Sequence, residues 1–452
     1  MPDLVVRNGL VYLGCDLVAA DLVVSGGRVT GIVQRGEAPP SAQDLDATGL
    51  LVLPGLIDQH VHFREPGYEY KEDFYTGSRA AAAGGITMYV DMPNLDPPPN
   101  TLERFLAQNQ LAAAKSVVDF NHWAMPTRLD EIAKIAQAGA AGFKVFMKSA
   151  HYPYGSEISI TDHGQLLEAF RAIAATGRPC LVHPHNQMLW EQRVAARVAE
   201  GRVGLADWAD ATYGDDDVVE TTAIATIVLL AKAVGLRLCV LHVQGRPQVR
   251  LVRMLKANGF RFLAETNPWS IVHIDPIGLR DPEDLAENFR AMNEGTVDLI
   301  GSDHAPHTLE EHEQCKVNAF ESVVAGYPLC EHWAAIFLTA VNQGKLSLRR
   351  FVEMGSTTPA RHIGVYPRKG VIRVGSDADF VIVDMERTAV LGETYPVYSK
   401  IGFTPLHGLQ VQGVPVYTIV RGQVVMDHGE VVGRPGTGQF VPPLRADPEQ
   451  ER

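Results

Sequence analysis

The segment Asp58-Gln59-His60-Val61-His62 carries two imidazoles two residues apart. On a β-strand, residues i and i+2 face the same way, so His60 and His62 can grip one ion. Further ligand types follow in order along the chain. Lys144 stands in Gly142-Phe143-Lys144-Val145-Phe146-Met147, His183 in His183-Pro184-His185, and His242 farther on. Asp303 stands in Ser302-Asp303-His304-Ala305-Pro306-His307. Imidazole and carboxylate suit zinc and similar divalent cations. A lysine aimed into an apolar interior is costly unless it is neutralised or used. Each feature alone has an ordinary explanation: a lone histidine at a strand end is generally just hydrogen-bonded, and a lone lysine snorkels or pairs with a carboxylate. The ordered run of His-x-His, Lys, His, His and Asp at successive strand ends points instead to a shared metal centre.

Those residues need strands to hold them. The middle of the chain alternates apolar strand patterns with helical ones, which predicts a parallel sheet with crossover helices. Eight strand candidates end near His62, Met92, Met125, Met147, His185, Val243, Asn267 and Ala305. Helical stretches lie between, among them Leu102 to Ala114, Gly164 to Ala175 and Pro247 to Asn258. Eight such units have the size of a (β/α)₈ TIM barrel, whose chemistry sits at the C-terminal strand ends. Short strands fill the first fifty residues, at 4–6, 10–12, 22–24 and 29–33, with Gly26-Gly27 as a hairpin turn. The texture returns at 379–383, 416–420 and 424–425, with Gly422 at a turn. The economical arrangement is one small β-sandwich domain made from both ends. The expected division is a composite sandwich from 1–53 and 364–441, a barrel from 54–363, and a loose Pro- and charge-rich tail from 442–452.

Composition narrows the function further. Of 452 residues, 46% are hydrophobic and 21% charged, as in an ordinary globular protein. Acidic residues outnumber basic ones 53 to 40, a formal charge of -13, and no basic run stands out. Nucleic acid is therefore not an expected partner. The most helix-like apolar run, about 223–236, is interrupted by Lys232 and too short for a membrane span, so it reads as a core helix. The N-terminal residues show no secretory pattern. The five cysteines (Cys15, Cys180, Cys239, Cys315, Cys330) form no CxxC pair, which fits reduced thiols in a cytoplasm.

Four stretches carry a resemblance. They are Pro54-Gly55-Leu56-Ile57-Asp58-Gln59-His60-Val61-His62-Phe63-Arg64-Glu65-Pro66-Gly67, then Asp91-Met92-Pro93-Asn94, Gly142-Phe143-Lys144, and the run from Ser302 to His307. Together they resemble the cyclic amidohydrolases: dihydroorotases, allantoinases, hydantoinases and dihydropyrimidinases. The resemblance covers nearly the whole chain. It implies two divalent ions, with zinc expected. His60, His62 and Asp303 would hold the first ion, and His183 and His242 the second. Lys144, carboxylated by CO₂, would bridge both. A carbamate turns a cationic side chain into an anionic bridge, which suits such a pair. Two ions can activate a water and polarise an amide carbonyl. Asp303 would take the proton of the attacking water and pass it to the leaving nitrogen.

The resemblance to dihydroorotases is the nearest, and it assigns Arg64, Asn94 and His307 to a substrate carboxylate. An arginine there offers a planar fork for that group; its ordinary alternative is a salt bridge to Glu65 or Glu69. Hydantoinases and dihydropyrimidinases usually carry a Tyr shortly after the bridging lysine, where this chain has Lys148-Ser149, with Tyr152 and Tyr154 farther on. Several stretches depart from the dihydroorotase pattern. They are Asn267-Pro268-Trp269-Ser270, Asp275-Pro276-Ile277-Gly278-Leu279-Arg280, Gln244 after His242-Val243, His185, and 318–329. The expected reaction is the reversible conversion of N-carbamoyl-L-aspartate to dihydroorotate. The alternatives are allantoin, a hydantoin or another cyclic amide or imide. The expected partners are that small molecule and further copies of the chain. His122, His151, His163 and His273 are expected to do no more than hydrogen-bond at the surface or in the core.

Overall fold

The computed structural model describes residues 1–14, 16–148, 157–214, 217–272, 282–321 and 326–444. Its centre is an eight-stranded parallel sheet in which the strands follow in chain order. They are β1 (Leu56–Val61), β2 (Ile86–Asp91), β3 (Asp119–Ala124), β4 (Gly142–Phe146), β5 (Cys180–His183), β6 (Leu238–Val240), β7 (Leu263–Thr266) and β8 (Leu299–Ile300). The sheet closes on itself beyond β8: Val61 bridges His304 in parallel, and the His62 amide donates to the His304 carbonyl at 2.7 Å. The first three strands are buried at every position. Strands covered on both faces read as continuous apolar runs, and this is why the barrel was legible.

Helices wrap the outside, and their ends match the local chemistry. Phe74–Ala83 starts at Asp73, whose carboxylate accepts from the amides of Tyr75 and Thr76. Leu102–Lys115, His163–Ala174 and Arg246–Ala257 lie within a residue or so of the expected spans. The apolar run expected as a core helix is Val218–Val234, ended by Gly235 in the left-handed region at φ 70°. Only glycine enters that region without strain. Among the described residues no helix is long and apolar enough to cross a membrane. Cys180, Cys239, Cys315 and Cys330 are all buried and unbridged; Cys15 lies outside the described residues.

Strands from both ends of the chain form a second, nine-stranded and largely antiparallel sheet. Its central seam places Leu51–Pro54 between Leu4–Leu13, which runs parallel to it, and Phe380–Val390, which runs antiparallel. The sheet is continuous and encloses its own core of Leu4, Val6, Leu22, Val24, Phe380 and Ile419. The strands expected at 4–6 and 10–12 are one strand, Leu4–Leu13, interrupted by a register shift between Val6 and Gly9. The polar Arg7-Asn8 pair broke the alternation in sequence, and Asn8 takes a left-handed φ of 63° there. Gly26 and Gly27 form the expected hairpin turn, both at positive φ. Of the expected C-terminal tail, only 442–444 fall within the described residues.

Candidate active site

All six expected ligands line one cleft at the C-terminal end of the barrel, together with Arg64, Asn94 and His307. The cleft is a partly open pocket with about 100 Å³ of internal space, suited to a small ring rather than a macromolecule. Three of its residues, Arg64 (φ 66°), His242 (φ 40°) and Asp303 (φ 51°), hold left-handed backbone that non-glycine residues adopt at a cost. Such conformations persist where the surrounding fold over-determines them, and they gather at functional sites.

One side of the cleft is built from β1 and the segment after β8. His60 Nε2 lies 3.1 Å and His62 Nε2 3.6 Å from Asp303 Oδ1. The other ring nitrogens are held from behind: His60 Nδ1 by Glu265 Oε1 at 2.5 Å, and His62 Nδ1 by Asn94 Oδ1 at 2.6 Å. Burial alone would depress His60, but Asp303 and Glu265 outweigh it and lift His60 to about 9. Burial would raise Asp303, yet His60 and His62 hold it well below the usual carboxylate range. The ligand atoms of His60, His62 and Asp303 lie within 4.8 Å of one another.

The other side has a different chemistry. His183 at the end of β5 and His242 beyond β6 meet through Nδ1 and Nε2 at 2.7 Å. Burial pushes His242 down to about 3 and His183 well below its ordinary value. Lys144 on β4 is fully buried, and its Nζ has no hydrogen-bond partner. It neither snorkels nor pairs with a carboxylate. Burial lowers it to about 8, with Asp303 and Glu265 opposing. A buried amine with that affinity for protons is partly neutral near physiological pH, the state in which an amine reacts with CO₂. The residues fit a site for divalent ions: a His/His/Asp set, a His/His pair, and a buried lysine in the same cleft.

At the rim, Arg64 is 1% exposed. Its Nε donates to the Pro306 carbonyl at 3.2 Å, and one terminal nitrogen lies 3.0 Å from His307 Nε2. The other, Nη1, is buried with no partner. The salt bridges to Glu65 or Glu69 are not made: Glu65 pairs with Lys115, and Glu69 accepts from the Gly67 amide. Behind His307 stand two residues the sequence did not single out. Lys71 Nζ lies 2.9 Å from His307 Nδ1 and 2.6 Å from Glu311, whose other oxygen is 3.4 Å from His307 Nδ1. Glu311 also closes the capping box of helix Leu309–Val317 with Thr308, which fixes it in place. The one available signal was Lys71-Glu72, a charged pair inside the opening loop.

The departures from the dihydroorotase pattern fall partly on the cleft wall. Gln244, Asn267 and Trp269 line it, beside Tyr213. His185 is buried, with Nδ1 3.5 Å from Glu220 Oε1. Tyr152, Tyr154, Ser149, His151, His273 and the stretch Asp275 to Arg280 lie outside the described residues. His163 opens a helix at the surface. His122 departs from expectation: it is fully buried among Phe74, Phe105 and Phe120, and neither ring nitrogen has a hydrogen-bond partner.

A closed parallel barrel with histidines, a buried lysine and an aspartate converging at its C-terminal mouth defines the class of barrel hydrolases that use divalent ions. The chain belongs to the Amidohydrolase family, whose model matches residues 51–425. An L-hydantoinase (dihydropyrimidinase) structure from Arthrobacter aurescens is similar at a TM-score of 0.92 and 32% identity, covering 98% of this chain and 100% of the other. An allantoinase of Rubrobacter xylanophilus is 32% identical over 99% of both chains. A dihydroorotase of Bacillus subtilis is also 32% identical, over 94% of this chain and 99% of its own. The chain is thus a cyclic amide hydrolase of this family. Hydantoinases and allantoinases match ahead of dihydroorotases, so the dihydroorotase expectation does not gain from these likenesses, and the ring is left to be read from the cleft.

Proposed function

We propose that the substrate ring carries a carboxylate and that the reaction is the reversible interconversion of N-carbamoyl-L-aspartate and dihydroorotate. The observation that carries this is Arg64, a buried guanidinium with one unpartnered nitrogen at the cleft wall. Arg64 lines the cleft, with Lys71 and Glu311 behind His307. A substrate carboxylate would meet the Arg64 guanidinium, and a bidentate arginine contact orients it. Asn94 spends its carbonyl on His62, and its amide keeps donor capacity for the ring. His307 holds the guanidinium in position.

His60, His62 and Asp303 would hold one ion and His183 and His242 another, with carboxylated Lys144 reaching both; zinc suits these donors. When bound, the ions supply Lewis acidity to the amide carbonyl and acidify the attacking water. Asp303 accepts that water's proton and returns it to the nitrogen that leaves as the C–N bond breaks. In ring closure the same carboxylate takes the proton from the attacking nitrogen.

Arg64→Met tests the substrate reading. A charge-assisted contact of this kind contributes roughly 1.5–3 kcal/mol, so kcat/KM for dihydroorotate should fall about ten- to a hundredfold or more. Rates on dihydrouracil, hydantoin and allantoin should be low in the parent and barely change. A second reading, a hydantoinase-like enzyme for neutral rings, is favoured by the aromatic wall of Trp269 and Tyr213. It wins if the parent prefers neutral rings and the substitution leaves every rate unchanged.

A further inference from the structure

Glu265 is a fully buried carboxylate that meets the ring of an expected ligand from behind. It sits on β7, a strand otherwise Leu263-Ala264-Thr266, and is 0% exposed. One oxygen meets His60 Nδ1 at 2.5 Å, and the other accepts from Gln59 Nε2 at 3.0 Å. Gln59 in turn meets His362 Nδ1 through its carbonyl at 2.9 Å. A hydrogen-bonded line thus crosses the barrel interior from His362, through Gln59 and Glu265, to His60 and Asp303. Gly301 makes room for it: a Cβ there would lie 2.7 Å from His60 Cβ and 2.8 Å from the Glu265 carboxyl carbon.

We propose that Glu265 is a positioning residue that fixes the ring and tautomer of His60, and so sets how tightly one ion of the pair, and only that one, is held. Accepting from Nδ1–H keeps Nε2 as the nitrogen on the Asp303 side, free to offer its lone pair to an ion there. A carboxylate behind a ligating histidine also raises its basicity, and losing such a partner typically weakens a site 10- to 100-fold. The fold's economy supports a specific role. A buried carboxylate inside a barrel is costly unless its oxygens are satisfied, and here both are spent on the line that ends at His60. The inference rests on the reading of His60, His62 and Asp303 as an ion site.

The test is ion content and ion release, followed with a chromogenic chelator on zinc-loaded protein, together with the melting temperature of the metal-stripped protein. The parent should hold about two zinc ions per chain. Glu265→Gln should release one of them about 10–100 times faster and keep the other at the parental rate, with the stripped protein melting near the parental temperature. Gln59→Met, which frees only the second oxygen, should accelerate the same ion by a smaller factor and carries the test if Glu265→Gln does not fold. Unchanged release of both ions, or equal acceleration of both, would overturn the proposal while leaving the ion site standing. A parent that takes up no zinc would overturn the site itself, and the proposal with it.

Discussion

The two sides of the cleft use the same residue type to opposite ends. On the β1 side, His60 has carboxylates at both ring nitrogens, Glu265 behind and Asp303 in front, and its affinity for a proton rises to about 9. On the β5–β6 side, His183 and His242 face each other and a buried lysine, and burial drives both histidines down. The first side is already charge-balanced by fixed side chains. The second gathers three nitrogen bases, with the Glu220 carboxylate beside His183 and His185. The proposed carbamate at Lys144 would add an anion and offset the cost of burying the lysine.

The largest effect should come from removing that lysine. Lys144→Ala should abolish measurable turnover and leave at most about one ion per chain, by elemental analysis. Short carboxylic acids added to the variant should restore part of both by filling the gap. If Lys144→Ala keeps both ions and its rate, the contrast between the sides has no chemical meaning. Asp303→Asn should cut turnover at least about 10²-fold, the usual contribution of a general acid–base group. Ion content must be followed alongside, because near-normal turnover at full loading would remove Asp303 from proton transfer.

The smallest effect extends the contrast to a histidine outside the cleft. His122 has no carboxylate and no hydrogen bond, and burial lowers it from 6.5 to about 3. As pH falls below 6.5, the unfolded chain takes up this proton while the folded chain refuses it. Stability therefore declines toward pH 3, by up to about 1.4 kcal/mol per pH unit for such a group, and is unaffected above neutrality. Urea unfolding of the parent at pH 7 and pH 5, against His122→Leu, should show a shallower acid loss in the variant. Equal slopes would mean that His122 gains a partner or a proton in the folded state.

Much of this was legible before the structure because barrel strands write their interior plainly. His60 and His62 follow the two-residue period of a strand end, and Lys144 stands out in an apolar run. What stayed hidden is contact between distant elements. Glu265 is an unremarkable acidic residue until β7 is laid opposite β1, and Lys71 and Glu311 gain meaning only through His307, which both touch. The sequence points Asn94 at a substrate, and only the structure shows that its carbonyl also holds the His62 ring. The bulge at Asn8 hid a ten-residue strand as two short ones, since a single left-handed residue resets the alternation.

The seam between Val61 and His304 has a consequence in time. During synthesis the chain presents His60 and His62 early, yet Asp303 arrives only after every other barrel strand has left the ribosome. A nascent chain stopped before β8 would therefore lack one donor of the first ion, however well its earlier strands had paired. The same delay applies to Leu51–Pro54, whose neighbour Phe380–Val390 is made later still. Tight ion uptake should thus mark chains long enough to present Asp303, not shorter ones. Stalled chains of increasing length, probed for zinc retention, would place that moment after residue 303 has emerged.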